Sequence, residues 1–474
     1  MSIDFKPRPE QEAMLAHLGR MPRKALHAGC GVGKTVVDAT HIAQSLDRFD
    51  TTRWLVVAPK TVAEDTWQRE FAKWRHLEHI KPRLLSFDDL DLQRGMEDGR
   101  AAGLEFGEGV KRVVKRRLHD YTEPVQVCSY QTMVWVARAC GRNFPFDGVV
   151  FDESTFLKAM DSERWRMAKR SVVTLPNVRD VIENTGTPIP KGYEDLVAQF
   201  YLLDEGVRLG RTYTDFRSRW CEPGKRGAGG TIYSWDVKRE MVEPIQKAIK
   251  ELAVSVDHDT GVKLVESAHI VRLPAKARAL YDEMKAKLLI EMAGKTIISA
   301  NAAVLVGKLM QIANGYIYDQ ERGVHGLHTA KLDAVAEAVE ANPTPVLLAW
   351  AHQPAEAALR KRLGAKMRLA RDKGSIEAFR RGEVHVLGFH PETMSFGVDG
   401  LQGAGNTVFW YGPTHRWDWY HQVYKRLQRE GQKADSVFVR TFVAENTLDQ
   451  GIIDNVLVPR GERNDGLLAA IRAT

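Results

Sequence analysis

Cysteine is scarce in this chain. Only Cys30, Cys128, Cys140 and Cys221 occur, and no two of them stand in C-x-x-C spacing. That argues against a disulfide framework and against a zinc ribbon. The 15 histidines show no metal-ligand spacing either. No apolar run approaches the roughly 20 residues needed to span a bilayer. The opening Met1-Ser2-Ile3-Asp4-Phe5 lacks the basic-then-apolar order of a signal peptide. Low-complexity tails are missing, and so is any repeat beyond a weak similarity between the two halves. These absences lead us to expect a protein of the reducing cytoplasm with no membrane contact.

The chain does have length and core material. Its 474 residues are 44% apolar, enough for two or three domains. The net charge is +7, in keeping with a binder of phosphate backbones. The densest basic cluster, Lys111-Arg112-Val113-Val114-Lys115-Arg116-Arg117, wraps more than one helix face. It reads equally as a solvated connecting helix or as a DNA contact. The basic glycine-rich loop Cys221-Glu222-Pro223-Gly224-Lys225-Arg226-Gly227-Ala228-Gly229-Gly230 reads first as a flexible surface loop, with contact to a DNA backbone as the alternative.

The most informative segment is Ala28-Gly29-Cys30-Gly31-Val32-Gly33-Lys34-Thr35. An apolar run, Ala25 to Ala28, precedes it and a helical pattern, Val36 to Leu46, follows. Glycines at 29, 31 and 33 let successive N–H groups point at phosphate oxygens, and the helix N-terminus adds its dipole. Lys34 is placed to reach the β- and γ-phosphates, and Thr35 to hold magnesium. A second strand, Gly148 to Phe151, ends in Asp152-Glu153. Asp152 is expected to hold magnesium through water, and Glu153 to orient and activate the attacking water.

Apolar strands alternate with amphipathic helices, which predicts parallel sheets with crossover helices. Strands are expected at Trp54–Ala58, Val125–Ser129, Val149–Asp152 and Val181–Thr185. A second set is expected at Val346–Trp350, Val384–Phe389, Thr407–Tyr411 and Ser436–Phe442. Helices are predicted over Met241–Leu252 and Ala275–Met292.

Further motifs occur in a telling order. Pro7-Arg8-Pro9-Glu10-Gln11 lies upstream of the glycine loop. Trp54-Leu55-Val56-Val57-Ala58-Pro59-Lys60 is followed by Trp67, Glu70, Phe71 and Trp74. Val127-Cys128-Ser129-Tyr130-Gln131-Thr132 comes next, then Asp152-Glu153-Ser154-Thr155-Phe156-Leu157-Lys158, then Thr185-Gly186-Thr187-Pro188. Ser395 to Gln402 and Gln422-Val423-Tyr424-Lys425-Arg426-Leu427-Gln428-Arg429-Glu430-Gly431-Gln432 close the series. From its first turn to about Ile452 the chain resembles superfamily II helicases, specifically the Swi/Snf-like translocases and their compact phage and bacterial members. Two places depart from the family pattern. Motif II reads Asp-Glu-Ser-Thr, and motif V, Gly397-Val398-Asp399-Gly400-Leu401-Gln402, is about one residue short.

The resemblance implies an α/β fold of two tandem RecA-like lobes. Lobe 1 is expected over 1–202, a mostly helical insertion over 203–268 and lobe 2 over 269–474. It implies ATP and Mg2+ as cofactors, with Arg8 and Gln11 at the adenine and Gly29, Gly31, Gly33, Lys34 and Thr35 at the phosphates. Arg426 and Arg429, expected on one face of a short helix, and Gln422 would join Lys34, Asp152 and Glu153 in hydrolysis. Pro59, Lys60, Tyr130, Thr185, Thr187, Ser395 and Gly397 are the expected nucleic-acid contacts, with Thr185 and Thr187 relaying the nucleotide state. Trp410, Trp417 and Trp419 fit core packing for at least two of the three, and base stacking otherwise. The implied function is an ATP-dependent, sequence-independent helicase or translocase on single- or double-stranded DNA. Its implied setting is monomeric, in a host cytoplasm if phage-encoded, with replication or recombination proteins as partners. An RNA track, or a nucleotide-gated module that loads a nuclease or replication protein, are the alternatives.

Overall fold

The computed structural model describes residues 2–29, 31–87, 91, 93–95, 97, 107–224, 226, 231–293, 299–319, 321, 323–394 and 398–472. They form two compact units. Unit 1 comprises Met1–Lys225, Ser234–His258 and Arg463–Thr474; unit 2 comprises Arg226–Tyr233 and Asp259–Glu462.

Unit 1 is built on strands β1 (Arg23–Ala28), β2 (Trp54–Ala58), β3 (Arg83–Leu84), β4 (Val125–Ser129), β5 (Gly148–Asp152) and β6 (Asp180–Asn184). A small hairpin, β7 (Cys221–Pro223) with β8 (Trp235–Val237), precedes the last strand, β9 (Ala253–Val256). The main sheet has the order β3-β4-β2-β5-β6-β1-β9, and every pairing is parallel. Helices cover both faces, so central strands read as unbroken apolar runs; all five residues of β2 are buried. Packing is close enough that a Cβ at Gly148 would lie 2.3 Å from the Trp54 ring.

Unit 2 follows the same logic. Its strands are β10 (Lys263–Val271), β13 (Val346–Ala349), β14 (Met367–Leu369), β15 (Val386–Phe389), β16 (Thr407–Trp410) and β17 (Ser436–Ala444), with a hairpin of β11 (Tyr316–Tyr318) and β12 (Val324–Gly326) between β10 and β13. The sheet order is β10-β17-β16-β13-β15-β14, again parallel throughout. Two parallel sheets flanked by helices are thus the fold expected from the sequence pattern.

The predicted strands lie within one or two residues of those observed. Trp410 and Trp417 are core residues, and Trp419 is half-buried under Arg416. The basic helix Glu108–Asp120 buries Val110, Val114 and Leu118 and carries its charges outward; Arg117 pairs with Asp91. Two boundaries differ from expectation. β10 begins at Lys263, inside the stretch read as an insertion, and residues from Arg463 onward belong to unit 1, where Ser255 N donates to Ile471 O at 3.0 Å.

Candidate nucleotide and nucleic-acid sites

In a parallel sheet the loops that carry chemistry gather beyond the carboxyl ends of the strands. In unit 1 the adjacent strands β5, β6 and β1 end in Asp152-Glu153, Thr185-Gly186-Thr187 and the glycine loop, so three motifs from distant sequence become neighbours.

The glycine loop is shaped by its backbone. Gly31 and Gly33 have φ of 85° and 91°, which glycine alone adopts without strain, and Gly33 caps the helix Lys34–Asp47. Lys34 Nζ donates to the carbonyls of Ala28 at 2.6 Å and Gly29 at 2.9 Å, so the ammonium sits within the loop. Gly186 lies against the same loop. A Cβ there would stand 3.1 Å from Ala28 O and 3.4 Å from Gly29 Cα.

Gln11 and Arg8 also brace this loop. Arg8 Nη2 donates to Val32 O at 2.9 Å and Gln11 Nε2 to the same oxygen at 3.2 Å, while Gln11 Oε1 accepts from Arg8 N at 3.0 Å. Both ends of the Gln11 amide are therefore engaged with protein.

The two carboxylates at the end of β5 have distinct surroundings. Asp152 Oδ2 accepts from Trp67 Nε1 at 3.1 Å; burial raises its pKa, with Lys34 pulling it back down. Glu153 takes a left-handed backbone, φ 63°, which a non-glycine residue rarely adopts. Its Oε1 accepts from Thr155 Oγ1 at 2.6 Å and Thr185 Oγ1 at 2.7 Å. Burial raises the Glu153 pKa, and the two hydroxyls oppose that rise. Thr185 Oγ1 in turn accepts from Thr187 N at 3.0 Å. The Ser-Thr variant of motif II thus places its threonine on the Glu153 carboxylate.

Three expectations need correction. Tyr130 faces inward: its hydroxyl donates toward the carbonyls of Asp152 at 3.1 Å and Glu153 at 3.2 Å, so the side chain supports motif II and does not offer itself to a strand. Thr185 and Thr187 are buried, as suits relays but not surface contacts. Arg426 and Arg429 lie in the turn after the helix Trp417–Tyr424, because the chain leaves helical geometry at Lys425. Ser395 and Gly397 lie outside the described residues.

Sequence reasoning overlooked Asp38. It sits fully buried in the helix after the glycine loop, with Asn184 Nδ2 donating to its Oδ2 and no hydrogen bond to its Oδ1. Burial and the nearby Asp152 hold its pKa well above the usual carboxylate range. No local pattern marks it; the helix-internal position gave no signal.

At the same strand ends, beyond β2 and β4, lies a cavity of about 310 Å3 lined by Lys60, Glu64, Ser86, Ser129, Thr132 and Trp135 among others. Lys60 is exposed, whereas Pro59 is buried. A π-helical turn, Val62–Thr66, follows Lys60, a form frequent at functional sites.

In unit 2, Arg429 Nη1 meets Asp399 Oδ1 at 2.6 Å, and Arg426 Nη1 donates to Val398 O at 3.0 Å and lies 3.7 Å from the same Asp399 oxygen. The segment Gln422–Gln432 thereby grips motif V itself, at Val398 and Asp399. Gln422 is buried beside them in sequence.

The described residues hold no cluster of three or more His, Cys, Asp or Glu that makes a metal site by itself. The donors fit a magnesium held mainly by nucleotide phosphates: one hydroxyl, Thr35, and one carboxylate, Asp152, in the unit that carries the glycine loop.

A family model, SNF2-related domain, matches residues 25–314. The chain belongs to the SNF2-related family. It is a nucleic-acid-dependent ATPase of that family. Putative protein p41 of Acyrthosiphon pisum secondary endosymbiont phage 1 is 31% identical over 477 residues, covering 95% of each chain. The Sulfolobus solfataricus SWI2/SNF2 ATPase core in complex with dsDNA aligns over 99% of this SNF2-related chain and 94% of its own, at 16% identity and a TM-score of 0.43, a likeness too loose to place any residue. No described helix of the SNF2-related chain is long and apolar enough to cross a membrane.

Proposed function

We propose that this protein is an ATP-driven DNA translocase that grips the phosphate backbone without regard to sequence. The observation that carries the reading is the chain of contacts from Glu153 through Thr185 to Thr187, in a segment that also packs on the glycine loop at Gly186. The carboxylate assigned to water activation is thereby tied to the strand end that senses the loop.

In this reading Lys34 leaves the loop carbonyls for the phosphates of ATP, and Thr35 and Asp152 hold magnesium. Magnesium, once bound, neutralises charge on the phosphate oxygens. Glu153 accepts a proton from the attacking water, for which its carboxylate must be ionised. Arg426 and Arg429 are the candidates for positive charge at the transition state. Arg8 and Gln11 stand at the base. The cavity at Lys60, Ser129 and Thr132 is the proposed seat of phosphates, since hydroxyls, a lysine and backbone amides hold a strand without reading its bases.

The test compares ATP turnover with single-stranded DNA, duplex DNA and RNA. Stimulation by DNA over RNA, with affinity falling steeply as salt rises, is expected. Equal stimulation by RNA sinks the DNA assignment. Movement without strand separation, read by displacement of a bound protein block against displacement of an annealed strand, separates translocase from helicase. Absence of either movement, with DNA-dependent turnover intact, would leave a nucleotide-gated loader.

A further inference from the structure

Unit 1 has a second cavity, of about 280 Å3, at the opposite end of its sheet from the glycine loop. Lys24 at the start of β1, Asp180 at the start of β6 and Thr51 just before β2 line it. Lys24 and Ala28 are four residues apart on one strand, so about 13 Å separate this end from the loop.

The cavity is built in layers. Its floor is a buried polar cluster. Lys24, 1% exposed, donates to Asp180 Oδ1, and His41 Nε2 lies 2.8 Å from Asp180 Oδ2 and 3.4 Å from Lys24 Nζ. One wall is apolar, from Leu18, Met21 and Pro22. The rim is cationic: Arg20, Arg48 and Arg179 are all exposed. The lining holds four Lys or Arg, namely Arg20, Lys24, Arg48 and Arg179, against two carboxylates, Asp50 and Asp180. The charge is therefore unbalanced toward an anion.

Beside the rim stands Phe49, between the lining residues Arg48 and Asp50. It closes the helix Lys34–Asp47 as the residue of a Schellman turn that adopts the left-handed conformation: Asp50 N donates to Ser45 O and Phe49 N to Leu46 O, each at 3.0 Å. Its φ is 59° and its side chain is 83% exposed. Glycine is the residue that position favours. A phenylalanine there strains the backbone and buries almost nothing in return. Folding gives no reason for it. An exposed aromatic held out beside arginines is the composition of a surface that stacks bases and holds phosphates.

We infer that this end of unit 1 is a second nucleic-acid site, which takes a single strand with one base in the cavity, its phosphates on Arg20, Arg48 and Arg179, and a neighbouring base stacked on Phe49. A base suits the cavity because one face of it needs an apolar wall while its edge needs hydrogen-bonding groups. An acidic peptide would use the arginines but not the aromatic lip beside a polar floor. This site is separate from the strand-end crest at Lys60 and Ser129 and does not depend on the translocation reading.

The test uses the full chain and a short oligothymidylate carrying photoreactive 5-iodouracil. Crosslinking followed by trypsin should label the peptide Phe49-Asp50-Thr51-Thr52-Arg53, and Phe49→Gly should remove that label. Phe49→Gly should melt no lower than wild type, since it relieves the turn. Arg20→Glu with Arg179→Glu should weaken oligonucleotide binding at this site at least threefold with basal ATP turnover unchanged. Crosslinks confined to peptides of the crest overturn the inference, as does a Phe49→Gly variant that melts several degrees lower. If DNA stimulates hydrolysis but this peptide stays unlabelled, the second site fails and the translocase stands. If the peptide is labelled and no nucleic acid stimulates hydrolysis, the reverse holds.

Discussion

Thr185 donates its hydroxyl to Glu153 at 2.7 Å, across 32 residues of sequence and from a neighbouring strand. The carboxylate proposed to take a proton from water is thus held in place by the segment that packs on the glycine loop. The bond does two things. It fixes the Glu153 side chain, whose own backbone is strained at φ 63°, and it partly offsets the burial that raises the pKa of Glu153.

Thr185→Val keeps the shape and deletes the donor. ATP affinity should stay near wild type, because Lys34 and the loop amides are untouched. Stimulated turnover should fall by about 10- to 100-fold, in the range for a lost hydrogen bond to a charged group, ~1.5–3 kcal/mol. The acid limb of the turnover profile should also move to higher pH, because losing the donor lets burial raise the Glu153 pKa further. Thr185→Ser should recover most of the rate. An unshifted acid limb with normal turnover would show that the hydroxyl is only packing.

Asp38 makes a pH-dependent prediction. Its folded pKa lies well above the ordinary 3.8, chiefly through burial. A group whose folded pKa is raised contributes stability below its unfolded pKa, and that contribution is lost as pH climbs through the folded value. Every tenfold weakening of the acid on folding corresponds to about 1.4 kcal/mol. Asp38→Asn has no charge to bury, so it should melt higher than wild type at pH 8, with the gain shrinking as pH falls toward 5. Paired melting curves across that range decide it; a gain that grows on acidification reverses the sign and refutes the burial argument.

How far did the sequence carry? The glycine loop, the Asp152-Glu153 strand end and the parallel alternation were readable because each is local: a phosphate cradle, an apolar run and a period. What was missed is non-local. Nothing near Trp67 in sequence says that its indole will meet Asp152, 85 residues on. Tyr130 was misassigned because a motif at the start of a helix does not reveal which way its side chain turns. β10 was hidden because it is an edge strand with mostly exposed residues, Lys263-Leu264-Val265-Glu266-Ser267-Ala268-His269-Ile270-Val271, and so lacks the apolar run of a central strand. The return of the chain to unit 1 after Arg463 rests on a pairing near Ser255, over 200 residues away.

A buried ion pair in unit 2 has the same non-local character. Lys331 Nζ and Asp449 Oδ2 are 2.5 Å apart, with side chains 0% and 1% exposed, and Asn314 Oδ1 accepts from the same ammonium at 3.0 Å. Asp449→Asn leaves the lysine charge buried without its counter-ion and should destabilise unit 2 by about 3–5 kcal/mol. Replacing both residues together, Lys331→Met with Asp449→Leu, should be far milder. Hydrogen exchange of the β16 and β17 amides in urea reads this unit by itself. If the double variant is as damaged as the single one, packing and not charge is what the pair supplies.

Arg429 tests whether the second unit takes part in hydrolysis. Its guanidinium and that of Arg426 share the exposed carboxylate of Asp399, so two cations are held together with one counter-charge between them. Two neighbouring guanidiniums suit a transition state whose own charge spreads over phosphoryl oxygens. Arg429→Ala should therefore leave nucleotide affinity largely intact, because binding rests on the glycine loop of unit 1. DNA affinity without nucleotide should change little. Stimulated turnover should drop steeply, toward the ~10³–10⁵ typical of a lost arginine finger. Arg429→Lys should recover little, since an ammonium lacks the planar fork that reaches two oxygens at once. All three quantities must be measured on one variant. If DNA affinity collapses while turnover per bound complex is barely altered, Arg429 belongs to the nucleic-acid track, and hydrolysis is carried by unit 1 with Arg426 alone.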